Sequence, residues 1–164
     1  MAKAAVIMGS ISDLDVVRPA IDVLRKFGVE VEARVISAHR THDDAHAYAA
    51  AAIDNGIEVL ICAAGKAAHL GGVIAAFTPL PVIGLPVKSS MMDGLDSLLS
   101  MVQMPAGIPV ACVGVNGGQN AGLLAVQILA VKYPHLAEQL KQYKAELATK
   151  IRLDDEKLQK ELGL

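Results

Sequence analysis

The chain has 164 residues, 53% of them hydrophobic and only 3% aromatic, with a formal net charge of −2 when His is neutral. That length suits one domain, residues 1–164, burying roughly two-thirds of its unfolded surface around a core of Ala, Val, Leu and Ile. The near-neutral balance, with no basic run or aromatic-interleaved stripe, argues against nucleic acid, and no apolar run approaches the ~18 residues of a membrane span, so the expected partner is a small molecule.

Ala4 to Met8 is a short apolar run ended by Gly9-Ser10-Ile11-Ser12-Asp13. Val16, Val17, Ala20, Ile21 and Leu24 then recur at helical spacing up to Phe27-Gly28, where Gly28 is a natural C-cap. Met1-Ala2-Lys3 leads straight into the strand without a secretory h-region or cleavage site, and the expected location is cytoplasmic. The strand, loop, helix unit repeats as Val29 to Ile36, Ser37 to Thr41, and an Ala-rich helix from about Asp43 to Asp54 stopped by Asn55-Gly56. A third copy runs through Ile57 to Ala63, the loop around Gly65 and a helix over Ala67 to Phe77. Pro79 and Pro81 bracket the turn into a fourth strand, Val82 to Leu85, followed by the loop Pro86 to Met92 and a helix over Asp93 to Val102.

Pro105-Ala106-Gly107 opens a fifth strand, Pro109 to Val115, followed by a turn at Asn116-Gly117-Gly118 and a helix over Asn120 to Val131. The alternation predicts parallel βαβ units in a doubly wound five-stranded α/β sheet, whose strands read as near-continuous apolar runs because both faces are covered. Periodicity does not give strand order; the fold class suggests the flavodoxin-like order 2-1-3-4-5. Cys62 and Cys112 fall inside strand-like runs without a metal or disulfide spacing, and read as buried free thiols. From Pro134 to about residue 161 an extra C-terminal helix carries Leu136, Leu140, Tyr143, Leu147 and Ile151 on one stripe, to be covered by its own domain or by a neighbouring subunit.

In open α/β sheets ligands collect at the carboxyl ends of the strands. The polar and Gly-rich segments Gly9 to Asp13, Ser37 to Thr41, Ala64 to Gly72, Pro86 to Met92 and Asn116 to Asn120 all fall at that edge, and are expected to converge. The first offers backbone N–H groups, the hydroxyls of Ser10 and Ser12 and the carboxylate of Asp13 just before a helix, a setting for a phosphate with the carboxylate left for ribose hydroxyls. It is neither a dinucleotide fingerprint nor a Walker loop, so a sugar monophosphate fits better. Arg40 supplies a planar fork for phosphate and Ser37 a hydroxyl from the same turn, while His39 between them is of the one type that ordinarily exchanges a proton near neutrality. His42 and His46 are four apart, but no third ligand or zinc-protease Glu accompanies them, so they read as solvated helix residues and no metal is expected. Ala64 to Gly72 is a Gly/Ala loop bearing Lys66 and His69, small enough for backbone to approach a flat ligand.

Together these stretches resemble the N5-carboxyaminoimidazole ribonucleotide mutase (PurE) family. Ser37-Ala38-His39-Arg40-Thr41 resembles the family's SAHRT motif, Gly9-Ser10 with Ser12-Asp13 its GSxSD loop, and Ala67-Ala68-His69-Leu70 its AAHL loop. Asp96 to Pro105 is similar to its DSLLSxVQMP segment and Asn120 to Ala125 to its NAxLLA helix start, so the likeness runs collinearly from about residue 4 to 133.

The resemblance implies an isomerase of purine biosynthesis, assembled as a homo-octamer whose C-terminal helix packs between subunits, and using no metal or organic cofactor. It implies that Ser10, Ser37 and Arg40 hold the 5′-phosphate of a ribonucleotide, Asp13 the ribose, and that His39 is the general acid/base. Ser12 and Ala38 would complete that side. His69, Gly65, Lys66, Ala67 and Leu70 would surround the imidazole and carboxylate. The family pattern has Gly where this chain has Lys66, Pro where it has Gly71 and Pro where it has His42. A related branch that carboxylates aminoimidazole ribonucleotide directly resembles AHK in place of SAHR and SNAL in place of AAHL; Arg40 and His69 align this chain with the mutases. A non-catalytic module holding a phosphorylated nucleotide is the remaining alternative.

Overall fold

Side chains along a strand alternate between two faces, and β1 (Lys3–Met8) divides accordingly: Ala4, Val6 and Met8 enter one core, Ala5 and Ile7 the other. β3 (Val59–Gly65) repeats the division, with Val59, Ile61 and Ala63 opposed to Leu60, Cys62 and Ala64. The structure, a computed structural model, describes residues 1–164. β2 (Glu30–Val35), β4 (Val82–Val87) and β5 (Ala111–Cys112) complete an all-parallel sheet in the order β2-β1-β3-β4-β5. This is the expected flavodoxin-like order.

α1 (Leu14–Lys26), α5 (Gly118–Ala130) and the first turns of α6 (Pro134–Leu162) cover the first core. α2 (His42–Ala51), α3 (Leu70–Phe77) and α4 (Leu95–Val102) cover the second. No helix is long and apolar enough to cross a membrane.

Several expected boundaries shift for local reasons. β2 is not apolar: its sequence Glu-Val-Glu-Ala-Arg-Val lies at the sheet edge and is largely exposed, as charged edge strands that resist further pairing usually are. β5 shrinks from the predicted Pro109–Val115 to two residues. Pro109 lacks a ladder donor, and beyond Cys112 only the Val113 and Asn116 N–H groups still reach β4 carbonyls, at 3.1 and 2.8 Å. Cys112 is consequently only part-buried, whereas Cys62 is fully buried and its thiol is pushed up to about 12 by burial. α3 begins at Leu70 rather than Ala67, because the loop before it passes through a left-handed Lys66 at φ 56°. On α6, Leu136 and Leu140 are buried, but Leu147 and Ile151 of the same stripe are 48% and 67% exposed.

Two helical glycines differ in what a Cβ would meet. On Gly122 it would lie 2.8 Å from the Ala20 carbonyl oxygen and 2.9 Å from Val23 Cβ, so α1 and α5 touch through backbone there. On Gly71 its nearest neighbours are Val110 Cγ1 at 3.6 Å and Cys62 Cβ at 3.8 Å, ordinary contacts. Gly122→Ala is therefore expected to destabilise by about 1–3 kcal/mol, and Gly71→Ala to stabilise by about 0.5–1 kcal/mol through a less flexible unfolded chain. Urea midpoints of the two variants should move in opposite directions.

Candidate active site

The Ser37–Thr41 segment closes on itself. Thr41 N–H donates to the Ser37 carbonyl at 2.8 Å, Thr41 Oγ1 donates to the same oxygen at 3.2 Å, and Ser37 N–H donates back to Thr41 Oγ1 at 3.0 Å. Thr41 is thereby occupied behind the helix, and α2 starts at His42 without a side-chain cap. Within this turn Ser37 Oγ accepts from Arg40 N–H and Arg40 Nε, both at 3.3 Å. Arg40 Nη2 reaches across to the Gly9 carbonyl at 2.9 Å, tying the loop after β2 to the loop after β1. Guanidinium has five N–H donors, so most of the fork remains for an anion.

The loop after β1 is knitted by its hydroxyls. Ser12 N–H and Ser12 Oγ both donate to Ser10 Oγ, at 3.3 and 2.8 Å, and the short turn Ile11–Asp13 delivers Asp13 to the start of α1. Burial pushes the Asp13 carboxyl above its ordinary range, and hydrogen bonds from the Ser10 backbone and the Ser12 side chain offset this only in part.

Every residue nominated from the sequence lines a single pocket of about 510 Å³: Ser10, Ser12 and Asp13 after β1; Ser37, Ala38, His39 and Arg40 after β2; and Gly65, Lys66, Ala67, His69 and Leu70 after β3. Its central contact is between imidazoles. His39 Nε2 and His69 Nδ1 are 2.9 Å apart, with ring planes at 82°. One ring must donate and the other accept, so a single proton is shared between the two facing nitrogens.

Lys66 is a non-glycine residue in the left-handed region, which costs an L residue roughly 1–2 kcal/mol. His42 and His46 stay outside the pocket: His42 Nε2 lies 3.5 Å from Asp43 Oδ1, and His46 packs against Phe77 with centroids 4.4 Å apart and ring planes tilted by 48°.

The expected convergence is incomplete at the far end. At this end only Val87, the last residue of β4, and Lys88 and Ser89 of the loop after it reach the pocket, and the Asn116–Asn120 turn does not. Asn116 acts from behind, its Oδ1 accepting from Lys88 N–H at 2.8 Å. Motif and residue type in the sequence do not single out Lys88 and Ser89, although a polar pair directly after a buried strand is a signal for them. Lys88 Nζ lies 3.0 Å from Asp93 Oδ1, and Ser89 Oγ donates to Asp96 Oδ2 at 3.0 Å.

The raised Asp13 carboxyl has a linkage consequence. A folded pKa above the unfolded value means stability present at low pH that is lost as pH rises through the folded pKa. Asp13→Asn is expected to raise Tm at pH 7 relative to the parent, with the advantage vanishing below the ordinary Asp pKa of about 3.9. Melting curves at pH 7 and pH 3.5 check the sign.

A model of the AIR carboxylase family matches residues 3–150. The N5-carboxyaminoimidazole ribonucleotide mutase of Pyrococcus abyssi is 56% identical over 147 residues, 90% of this chain and 84% of that protein. The mutase of Thermotoga maritima is 50% identical over 151 residues, 92% of this chain and 88% of that protein. Among solved structures, Treponema denticola PurE aligns with a TM-score of 0.86 at 30% identity, covering 96% of this chain and 99% of that one. These matches span both the sheet and the loops that form the pocket, and the chain belongs to the AIR carboxylase family.

Proposed function

We propose that the protein converts N5-carboxyaminoimidazole ribonucleotide to 4-carboxy-5-aminoimidazole ribonucleotide in purine biosynthesis, with His39 as general acid and base. The observation that carries this reading is the His39–His69 contact at 2.9 Å beside the Arg40–Ser37 corner. The mutase relatives of 50–56% identity support the choice of substrate.

Ser10, Ser37 and Arg40 hold the 5′-phosphate through hydroxyl and guanidinium donors, and Asp13 accepts from the ribose hydroxyls. Ser12 orders Ser10, and Ala38, Gly65, Ala67 and Leu70 let the imidazole lie close to the backbone. Cleavage of the carbamate N–C bond leaves an electron pair on nitrogen, which takes a proton from His39 as carbon dioxide is released. Carbon 4 then attacks carbon dioxide, and its proton returns to the same imidazole. The proton count closes without an oxidant or reductant. One group at intermediate basicity serves both halves, and His69 fixes the His39 ring between them. Small apolar walls hold carbon dioxide against escape.

His39→Asn is expected to lower kcat by about 10²–10⁴-fold, with the nucleotide still bound; near-normal turnover would overturn the acid/base role of His39, and a parent that binds the nucleotide without turning it over would be only a binding module. Direct carboxylation of aminoimidazole ribonucleotide, the reaction the family's description names, is the second reading. Turnover of the carbamate substrate without added bicarbonate separates the two.

The reading takes the 164 residues as one cytoplasmic domain that functions as a homo-octamer with no metal or organic cofactor. Support for assembly comes from apolar side chains left open on α6, Leu158 and Leu162 being 50% and 61% exposed, and from Val131 at 91%. Light scattering is expected to give about eight times the 17.1 kDa chain mass; a monomer would overturn the octamer.

A further inference from the structure

The pocket is lined by three permanent cations, and they differ in what already engages them. Arg40 is tethered to Ser37 and to the Gly9 carbonyl, and Lys88 is paired with Asp93. Lys66 makes no side-chain hydrogen bond and no ion pair. It also holds the most unfavourable backbone of the three, with φ 56° where glycine would be unstrained. A strained residue persists where its surroundings over-determine it and commonly marks a functional contact. Here the strain turns a lysine, rather than the resembled family's glycine, onto the pocket wall.

Placement says which anion it meets. Arg40 and Ser37 follow β2, Lys66 follows β3, and β1 runs between them. The imidazole contact bridges the same two loops, since His39 belongs to the first and His69 to the second. A ligand phosphate at Arg40 and an anion at Lys66 therefore lie on opposite sides of β1, with proton transfer between them. Lys66 and Ala67 also form the wall shared with an adjoining hollow of about 460 Å³ that reaches Ser90, Asp96 and Ser100.

We infer that Lys66 is the receptor for the ligand's carboxyl group, a specificity determinant for the carboxylated nucleotide over the uncarboxylated one. The inference rests on the proposed reaction and adds one residue to it. Lys66 holds the carboxylate by a charge-assisted hydrogen bond in the bound substrate, before carbon dioxide is released, and again in the product once the C–C bond has formed.

The test is calorimetric titration of the full-length protein and of Lys66→Gly, Lys66→Met and Lys66→Arg with 4-carboxy-5-aminoimidazole ribonucleotide and with 5-aminoimidazole ribonucleotide. Loss of one charge-assisted bond predicts roughly tenfold weaker binding of the carboxylated ligand in the Gly and Met variants. Binding of the uncarboxylated ligand is expected to be unchanged, and Lys66→Arg to stay within about threefold of the parent. Lys66→Gly is also expected to melt higher than the parent, so stability and affinity part in opposite directions. Equal weakening of both ligands, or no weakening of either, would overturn the assignment while leaving the reaction standing. A parent protein that binds neither nucleotide would overturn the reaction and the assignment together.

Discussion

The contact between His39 Nε2 and His69 Nδ1, at 2.9 Å, depends on strand order more than on either loop. His39 follows β2 and His69 precedes α3 after β3, yet β1 lies between those strands. The two rings can meet only if the loop after β1 stays out of their way. Gly9 N–H donates to the Ala63 carbonyl at 3.1 Å, holding that loop down against β3, while Arg40 grips its carbonyl from the other side. Gly9 thus ties the loop after β2 to strand β3 through its two backbone groups. The pocket's shape follows from that anchoring.

The surroundings bear the strain this arrangement brings. Asp13 is partly desolvated and Lys66 sits in a left-handed conformation. Each is unfavourable for folding taken alone. Both stand on a sheet whose central strands β1 and β3 are almost wholly buried and whose two faces carry separate apolar cores. Close approach of α1 to α5 at Gly118 and Gly122 adds packing without bulky side chains, as a chain with 3% aromatic residues requires. A core made mainly of small and branched aliphatics gains by density, because dispersion falls off steeply with any gap.

Much of this was legible in residue order. The alternation of apolar runs with helical periods located five strands and their intervening helices, and the Ser, His, Arg and Gly residues after β1, β2 and β3 do share one pocket. Edges read poorly. β2 carries charged residues and is largely exposed because it lies at the sheet edge, and β5 is short because Pro109 lacks a ladder donor; neither fact lies in hydrophobicity alone. Lys88 and Ser89 escaped notice because their entry to the pocket depends on β4 lying beside β3 and on Asn116 holding the Lys88 N–H. The imidazole contact joins residues thirty apart, which no local pattern encodes.

α6 carries a different kind of consequence. Its 29 residues span about 43 Å at 1.5 Å per residue. Leu136 and Leu140 dock the first turns, and Tyr143 Oη accepts from Gln119 Nε2 at 2.9 Å. Nucleation is therefore already accomplished at the docked end, and only propagation remains for the rest. Past Tyr143 the helix continues to Leu162 with its residues exposed, so each further turn gains little from packing on the domain. The tryptic sites Lys150, Arg152 and Lys157 all lie on this far half, so the bonds most open to a protease are those farthest from the sheet.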